Sequence, residues 1–349
     1  MRLSVATSDF HVMPAAPPRL NAVAVIGAGA WGTALAIALR QAGRDVTLLT
    51  RSPEHATAII ASRRNDTYLP GIPLDPAIRV SADWAGEVNG ADFIVLATPA
   101  QHLRDAAAQL TTLINRPLPV IIAAKGIELQ SGKPMSAVLA ETWPRAELAV
   151  LSGPGFAAEV GRGLPAAICL GVRRETLGLK LAEAIGSPSL RPYWTRDVTG
   201  VELGGSLKNV IAIAVGIARG KGLGASAEAA LLTRGFAEIR RYAEAAGAQS
   251  KTLMGLSGLG DLVLTAASPL SRNTSLGIEL GKGRALGDIL AERRSVAEGV
   301  ATAAAAARLA REQGIAMPIS TAVAAILAGN ATVDTAIAEL LARPFRPED

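Results

Sequence analysis

Residues 22–40 combine an apolar stretch, three closely spaced glycines and a helical pattern. The stretch 22–26 is typical of a buried strand, the glycines follow with the spacing GxGxxG, and residues 34–40 have helical periodicity. In such a turn Gly27 permits a tight bend, Gly29 lets the backbone approach a phosphate, and Gly32 lets the helix pack on the strand. The helix N-terminus adds partial positive charge. The segment therefore predicts dinucleotide binding rather than a plain glycine-rich turn.

Strand-like apolar runs alternate with amphipathic stretches through the first two-thirds of the chain. This alternation predicts an α/β fold with a Rossmann-like, doubly wound, mostly parallel sheet over residues 21–198. Ligands of such sheets bind beyond the carboxyl ends of the strands. The predicted strands are 22–26, 45–49, 92–97, 119–123, 148–151, 166–170 and 190–194, and the clearest predicted helices are 103–113, 134–142 and 174–185.

The strand pattern stops near residue 197, and helical patterns continue to the C-terminal region. Residues 199–345 are therefore predicted to form an all-α second domain that binds the substrate. No Pro/Ser-rich linker separates the two parts, so we expect them to share a long helix and a fixed cleft. Residues 1–20, rich in Ala and Pro, predict a disordered extension. Breaks between helices are predicted at 220–225, 255–260, 268–273, 281–287 and 317–318.

Composition narrows the functional class. The net charge is +5, but Lys and Arg are scattered, with pairs as the longest basic runs, so a nucleic-acid partner is disfavoured. One cysteine, Cys169, excludes an internal disulfide and a cysteine-based zinc site, and we predict no metal. No stretch reaches the roughly 18 uninterrupted apolar residues that a membrane span needs, so we predict none. The first twenty residues also lack the apolar core of a signal peptide. We expect a cytoplasmic enzyme that handles anions.

The end of the second predicted strand bears on cofactor choice. NAD-specific sites usually place Asp or Glu here to bind the ribose 2′-hydroxyl. This chain has Thr50 and Arg51 instead. Arg51 is suited to a bidentate contact with a 2′-phosphate, which favours NADP over NAD. The alternative is a solvated surface arginine.

Two lysines are candidates for proton transfer. Lys125 directly follows a buried strand, so its side chain is either solvated or aimed into the cleft. Lys208 lies in a helical segment after Gly204 and Gly205 and before an apolar stretch at 210–217. An apolar setting lowers a lysine pKa and allows it to accept a proton from an alcohol near neutral pH. The alternative is a lysine that reaches solvent along an apolar surface.

Histidine, the commonest base in dehydrogenases, has no candidate in the second domain. The three histidines of the chain are His11, His55 and His102. Lysine is therefore the remaining base for hydride chemistry.

Three further segments carry polar groups with two open interpretations each. Asp261 and Thr265 are four residues apart, on one helix face, although Asp261 also suits a helix N-cap. Residues 271–273, Ser-Arg-Asn, are predicted to lie in a loop between helices, where they either bind a phosphate or form a polar surface. Gly153 lies in a Ser-Gly-Pro-Gly-Phe turn that is either an ordinary βα turn or a source of backbone donors to a substrate.

Taken together, these motifs resemble the bacterial-type NAD(P)-dependent glycerol-3-phosphate dehydrogenases. The resemblance extends from residue 21 through the helical tail. It rests on Ile-Gly-Ala-Gly-Ala-Trp-Gly-Thr-Ala-Leu, Ala-Lys-Gly-Ile-Glu, Ser-Gly-Pro-Gly-Phe-Ala, Glu-Leu-Gly-Gly-Ser-Leu-Lys-Asn-Val, Gly-Leu-Gly-Asp-Leu-Val-Leu-Thr, Ser-Arg-Asn and Val-Ala-Glu-Gly-Val, in that order.

The resemblance implies reversible hydride transfer between dihydroxyacetone phosphate and sn-glycerol 3-phosphate, with the product used for phospholipid synthesis and a homodimer as a possible assembly. It implies catalytic roles for Lys208, the general acid or base, and for Lys125 and Asp261. The implied substrate contacts are Lys125, Gly153, Asn209, Asp261, Thr265, Ser271, Arg272 and Asn273. The implied cofactor contacts are Gly27, Gly29, Ala30, Trp31, Gly32, Arg51, Lys125, Ala157, Arg272, Val296 and Glu298.

Two positions depart from the family pattern. Ala30 and Gly155 stand where the family often has serine. We expect weaker contacts there rather than loss of activity, because backbone donors remain. Two alternatives stay open at this point: a related lysine-using dehydrogenase of a phosphorylated sugar acid or β-hydroxyacid, and a catalytically dead dinucleotide sensor.

Overall fold

The fold was analysed in a computed structural model that describes residues 20–293, 297–345 and 347. Within these residues the chain forms ten strands. They are β1 (Ala22–Ile26), β2 (Asp45–Leu49), β3 (Arg64–Asn65), β4 (Leu69–Pro73), β5 (Arg79–Ser81), β6 (Phe93–Leu96), β7 (Leu118–Ile122), β8 (Ala146–Ser152), β9 (Ala166–Gly171) and β10 (Leu190–Thr195).

Helices connect these strands and make up the C-terminal part. They are α1 (Ala30–Gln41), α2 (Pro53–Ser62), α3 (Trp84–Glu87), α4 (Leu103–Leu113), α5 (Met135–Thr142), α6 (Ala157–Gly161), α7 (Glu175–Ile185), α8 (Val198–Lys221), α9 (Ala225–Ala245), α10 (Ser250–Leu253), α11 (Asp261–Ala267), α12 (Arg272–Gly281), α13 (Leu286–Ala291), α14 (Glu298–Glu312), α15 (Pro318–Leu327) and α16 (Val333–Leu341).

Eight strands form one sheet in the order β10-β9-β8-β7-β6-β1-β2-β5. All neighbouring pairs are parallel except β8 and β9. Helices cover both faces, and the apolar residues of the strands are buried in two core clusters. The predicted mostly parallel sheet, followed by an all-helical part, is confirmed. The seven predicted strands are all present, within one or two residues of their predicted bounds.

Strand β1 lies between β2 and β6 in the sheet. The chain therefore places β2 on one side of β1 and later returns to place β6 on the other side. The loops after β1, β2 and β6 therefore meet at one edge of the sheet. In open α/β sheets this switch point is where ligands bind. Gly27, Arg51 and Thr98 are all found at this edge.

Three short strands were missed by the sequence analysis. Strands β3 and β4 form an antiparallel hairpin, and β5 adds to the sheet beside β2. The hairpin offers no apolar alternation, because β3 has two residues and β4 contains Pro70, Gly71 and Pro73. Nothing in the local pattern therefore distinguishes it from a loop.

Helix α8 is the centre of the C-terminal part. It is long and apolar enough to cross a membrane, yet its most apolar 18-residue window lies wholly inside the protein, as in a core helix. Its neighbour α12 approaches very closely: a Cβ on Gly216 would lie 2.2 Å from the Thr274 carbonyl oxygen, and one on Gly277 would lie 2.2 Å from that of Ile213. This contact places the N-terminus of α12 beside the middle of α8.

Two predicted helix breaks and one predicted cap need correction. Residues 256–260 form a π-helix that leads directly into α11, so the chain stays helical there. Asp261 is the first residue of α11 and not its N-cap, which is Gly260. Arg272 and Asn273 lie in the first turn of α12 and not in a loop, with Ser271 as the N-cap.

The extension predicted at residues 1–20 lies outside the described residues except for Leu20. Strand β10 ends at Thr195 and α8 begins at Val198, and the domain boundary at residue 198 stays a prediction.

Candidate active site

The glycine turn after β1 exposes bare backbone. Gly27 has a φ of +110°, and a Cβ there would lie 2.9 Å from the Ala97 carbonyl. A Cβ on Gly32 would lie 1.9 Å from the Gly27 oxygen, so α1 packs onto the turn only with glycine at this position. Gly29 caps α1, and a Cβ there would point into open space. The turn thus has the tight bend, the open approach and the close helix that a phosphate loop requires.

The first residues of α1 lead from this turn to the centre of the cleft. Ala30 begins the helix, and Trp31 follows. The Lys125 Nζ lies 5.8 Å from the centroid of the Trp31 ring, within the range of a cation–π contact. A Cβ on Gly155 would lie 3.4 Å from the same ring. The indole Nε1 is buried and has no hydrogen-bond partner among the described residues, so it is available to a ligand.

Two lysines share one carboxylate at the centre of the site. Lys125 donates to Asp261 Oδ2 at 2.6 Å and to the Gly153 carbonyl at 2.9 Å. Lys208 donates to Asp261 Oδ1 at 2.6 Å and to the Thr265 hydroxyl at 2.5 Å. The two ammonium groups are therefore held side by side, each by its own carboxylate oxygen.

Burial changes the acidity of one of these lysines. The Lys208 residue is 6% exposed, and the loss of solvation lowers its pKa to about 8. Asp261 opposes this change, whereas the positive charges of Lys125 and Arg272 add to it. Lys208 can therefore exchange a proton near neutral pH, and it reaches no solvent surface of the kind the alternative interpretation required.

The geometry of this cluster depends on a close contact between α8 and the π-helix. A Cβ on Gly204, one turn before Lys208, would lie 2.9 Å from the Ser257 carbonyl oxygen and 3.0 Å from Gly258 Cα. The π-helix then continues into Asp261. Glycine in a helix interior costs about 1 kcal/mol relative to alanine, and here it allows the approach that brings Asp261 to Lys208.

Gly204→Ala is expected to lower kcat by about tenfold and to lower the unfolding temperature, because overpacking of this kind costs about 1–3 kcal/mol. The matched control is Gly287→Ala in α13, where a Cβ meets nothing within 4 Å. Activity assays and thermal unfolding of both variants test this. Equal behaviour of the two variants would show that the Gly204 contact does not set the cluster geometry.

Two asparagines connect the second domain to Lys125. Asn273 Nδ2 donates to Asn209 Oδ1 at 2.9 Å, and Asn209 Nδ2 donates to the Lys125 carbonyl at 3.3 Å. The Gly299 amide donates to Asn273 Oδ1 at 3.0 Å. Both amides thus connect parts of the cluster, and within the described residues each uses one of its two amide hydrogens, which leaves the other for a ligand.

The N-terminus of α12 carries the other predicted phosphate contacts. The Ser271 oxygen accepts from the Thr274 amide at 3.2 Å, and its hydroxyl hydrogen has no acceptor in the part of the chain that the structure describes. Arg272 is exposed, and its charge lowers the pKa of Lys208. The positive end of a ten-residue helix and one guanidinium therefore face the lysine cluster.

Glu298 is the first residue of α14 and precedes Gly299, whose amide donates to Asn273. Its Oε1 accepts from the Ala100 amide at 3.2 Å, and its Oε2 is buried without a partner in the described part of the chain. Burial raises the pKa of this carboxyl group. Val296, predicted with it, lies outside the described residues. Ala157 is the first residue of α6 and packs on the core of the sheet domain.

Arg51 is found beside the glycine turn. The Gly27 amide donates to the Leu49 carbonyl at 2.8 Å, so the end of β2 is fixed against the turn, and Arg51 follows two residues later with an exposed side chain. The structure thus brings the predicted lysines, Asp261, Thr265, both asparagines and Gly153 into one cluster, with Trp31 beside it. Arg51 lies apart, at the β2 end of the same edge.

Several supporting residues were missed. Gln101 clamps the segment after Lys125 by donating to the Ile127 carbonyl at 2.8 Å and accepting from the Leu129 amide at 2.9 Å. Arg104 forms a bidentate pair with the buried Glu128, both contacts at 2.9 Å. Glu128 is the last residue of the Ala-Lys-Gly-Ile-Glu motif. Its charge between apolar neighbours was the one sequence signal that could have identified it.

Comparison with known proteins agrees with this geometry. The family model for the N-terminus of NAD-dependent glycerol-3-phosphate dehydrogenase matches residues 22–177, and the model for its C-terminus matches residues 197–338. Glycerol-3-phosphate dehydrogenase [NAD(P)+] of Parvibaculum lavamentivorans is 52% identical over 326 residues, covering 93% of this chain and 98% of the relative. That of Caulobacter vibrioides is 53% identical with the same coverage. The crystal structure of glycerol-3-phosphate dehydrogenase from Coxiella burnetii aligns with a TM-score of 0.90 at 33% identity, over 93% of this chain and 100% of that one. The chain therefore belongs to the NAD-dependent glycerol-3-phosphate dehydrogenase family.

Proposed function

We propose that this chain catalyses reversible hydride transfer between dihydroxyacetone phosphate and sn-glycerol 3-phosphate. The observation that carries the proposal is the pair of lysines on Asp261, placed at the sheet edge that also holds the glycine turn. An ammonium group beside a carbonyl oxygen stabilises the negative charge that develops on reduction and then protonates it. The printed names of the relatives agree with this reaction.

Lys208 is the general acid in reduction and the general base in oxidation. Bound NAD(P)H supplies the hydride. Lys208 donates a proton to the substrate oxygen, which its lowered pKa favours, and because that pKa is about 8 the resulting amine regains a proton near neutral pH. Lys125 orients the same oxygen, while Asp261 and Thr265 hold the two lysines in place.

The substrate phosphate binds at the N-terminus of α12. Arg272 supplies a guanidinium, the Ser271 hydroxyl and one Asn273 amide hydrogen supply neutral donors, and the helix end adds partial positive charge. Asn209 and Gly153 complete the site around the glycerol carbons. Three positive side chains would lie near the dianion, and Asp261 pairs directly with two of them, Lys125 and Lys208.

The glycine turn and the cleft beyond it would hold the cofactor. Gly27, Gly29, Ala30 and Gly32 form the pyrophosphate site, in agreement with the open space at Gly29. Trp31, Ala157, Lys125, Arg272 and Glu298 line the remaining length, and the unpartnered Trp31 Nε1 and Glu298 Oε2 fit a polar ligand there. Val296 stays a predicted contact. NADP is the preferred cofactor, because Arg51 stands where an acidic residue would select NAD.

The pH dependence of kcat/KM is expected to report Lys208. Its pKa is lowered to about 8, so the ammonium form needed for reduction disappears as pH rises through this value. Reduction should then fall about tenfold for each further pH unit, while oxidation, which needs the free amine, should rise to about pH 8 and level off. Initial rates in both directions, at saturating cofactor, test this. Profiles with the same sign in both directions would contradict the assignment.

Arg51→Glu is expected to raise the Kd of NADPH by at least about tenfold more than that of NADH, since a charge-assisted contact to the 2′-phosphate contributes about 1.5–3 kcal/mol. Fluorescence titration of both dinucleotides measures the effect. The control is Arg191→Glu on β10, at the far edge of the sheet. Equal changes for both dinucleotides would show that Arg51 does not contact the 2′-phosphate.

The function itself is tested by loss of the nicotinamide absorbance band with dihydroxyacetone phosphate plus NADPH or NADH. Oxidation with either dinucleotide supports the proposal, and the ratio of rates reports the preference. Turnover of a phosphorylated sugar acid or a β-hydroxyacid, but not of dihydroxyacetone phosphate, would favour the related dehydrogenases. Cofactor binding with no turnover of any of these compounds would favour a sensor.

We also propose the cellular setting that the family implies. The glycerol 3-phosphate formed would supply phospholipid synthesis, and the enzyme would act in the cytoplasm. The homodimer stays a prediction, to be tested by light scattering of the purified chain.

A further inference from the structure

A buried asparagine lies beneath the glycine turn. Asn65, in the short strand β3, is 1% exposed. Its Nδ2 donates to the Ala28 carbonyl at 2.8 Å and to the Thr33 hydroxyl oxygen at 2.8 Å. Ala28 lies between Gly27 and Gly29, and Thr33 lies in the first turn of α1. One side chain therefore fixes both ends of the turn.

The same asparagine is bonded to a histidine. His55 Nε2 lies 3.0 Å from Asn65 Oδ1, and His55 Nδ1 lies 3.4 Å from Thr50 Oγ1. The Ser52 amide donates to Thr50 Oγ1 at 3.4 Å. The edge of the imidazole packs against Tyr68, with 5.4 Å between the ring centroids, which fixes the plane of the histidine.

The direction of every bond in this chain of contacts follows from the first. Both Asn65 amide hydrogens are used, so its Oδ1 accepts and His55 Nε2 must carry a proton. In the neutral imidazole, Nδ1 is then an acceptor, and it suits the Thr50 hydroxyl. The Thr50 oxygen in turn accepts from Ser52. The contacts form one consistent path from α1 to the residues on either side of Arg51.

We infer that Asn65 and His55 are positioning residues for the dinucleotide. They hold the turn that would bind the pyrophosphate at a fixed spacing from Thr50, Arg51 and Ser52, where the adenosine ribose and its 2′-phosphate would bind. The inference rests on the proposed function, because it concerns the same cofactor. It adds the hairpin β3–β4 and helix α2 to the elements that determine cofactor affinity and specificity.

The hydrogen-bonded path from α1 through Asn65 and His55 to Thr50 predicts different effects for the loss of Asn65 and for the loss of His55. Asn65 touches the turn directly, so its loss weakens NADH and NADPH alike. His55 acts on the Thr50–Ser52 end, so its loss weakens NADPH more than NADH. The loss of both hydrogen bonds is expected to raise the Kd by roughly tenfold in Asn65→Leu. Neither change reaches the lysine cluster, so the KM for dihydroxyacetone phosphate at saturating cofactor stays unchanged.

The test measures the Kd of NADPH and NADH by fluorescence titration of the full chain and of the variants Asn65→Leu and His55→Phe. Thr50→Val removes the hydroxyl at constant shape, and Thr50→Ser restores it. Asn330→Leu, at an exposed asparagine between α15 and α16, is the control for the substitution itself. The expected result is a rise of about tenfold for both dinucleotides in Asn65→Leu, an NADPH-selective rise in His55→Phe and Thr50→Val, and recovery in Thr50→Ser.

Non-additivity provides a second readout, since the double variant Asn65→Leu/His55→Phe should lose less than the sum of the two single changes. If Asn65→Leu fails to fold, the inference is tested by His55→Phe, at a partly buried position, and by Thr50→Val and Thr50→Ser. If the wild-type chain binds both dinucleotides and the variants bind them with the same Kd, the inference is wrong but the proposed function is not. A wild-type chain that binds neither would overturn the proposed function as well.

Discussion

Lys208→Met is expected to lower kcat in both directions by about 10²–10⁴-fold, the range typical of a lost general acid or base. Methionine fills similar space and removes the ammonium group, so the buried pocket on α8 remains packed while the proton donor is lost. The Kd of NADPH should change little, because the hydrogen bonds of the Lys208 side chain go to Asp261 and Thr265 and not to the glycine turn. Steady-state kinetics and dinucleotide titration of the same preparation separate the two effects.

The control for this variant lies on the same helix. Lys221 is the last residue of α8, and its exposed side chain pairs with Asp334 at 2.7 Å. Lys221→Met removes an identical charge from a surface ion pair, and such pairs contribute about 0–1 kcal/mol. Its kcat should match that of the wild type. Near-normal turnover by Lys208→Met would remove Lys208 from the role of acid and base and leave Lys125 as the candidate.

The fold was largely predictable because its strands are buried on both faces. Parallel strands covered by helices have nearly continuous apolar sequences, and most of the seven predicted strands have this form. Strand β10, at the edge of the sheet, is the exception, because Arg191 and Tyr193 are exposed. The hairpin β3–β4 has no such signal, because it covers the edge of the cofactor region with two short segments. Asn65, which the hairpin contributes to the glycine turn, was missed for the same reason.

The structure brings many of the predicted site residues together, but the hydrogen bonds that connect them could not be predicted from the sequence. Lys125 and Asp261 are separated by 136 residues, and Lys208 and Asp261 by 53, so their common carboxylate could not be read from spacing. The hydrogen bond between Asn273 and Asn209 likewise forms only because α8 and α12 pack closely at glycine positions. Local pattern identified polar residues in apolar settings, and tertiary packing decided their partners.

Gly204 and Gly205 show how a local sequence pattern and the tertiary packing are related. In the sequence this glycine pair is an unfavourable feature of a helix interior. In the structure Gly204 contacts the π-helix and a Cβ on Gly205 would lie 2.1 Å from Ser152 Oγ, so both residues let α8 approach the end of β8 and the start of α11. The π-helix, a feature often found at functional sites, directs Asp261 into the space that this approach creates.

Asp261→Asn is expected to lower kcat/KM for dihydroxyacetone phosphate by about 100-fold at neutral pH, because hydrogen bonds to charged groups contribute about 1.5–3 kcal/mol each. The carboxylate accepts from Lys125 and Lys208 with separate oxygens. The amide accepts with one oxygen only and turns its NH₂ group toward the other ammonium. One lysine is therefore released from its position, and the two positive charges lose their shared counterion.

The pH profile distinguishes this electrostatic role from a merely structural one. The negative charge of Asp261 raises the pKa of Lys208 and so opposes the effect of burial. Without it, the pKa should fall below about 8, and the decline of reduction with rising pH should begin at lower pH in Asp261→Asn than in the wild type. Asp334→Asn, which removes the carboxylate of the exposed pair with Lys221, is the control and should shift neither rate nor profile. A lower rate with an unmoved midpoint would mean that Asp261 supports the fold of the site but does not set the acidity of Lys208.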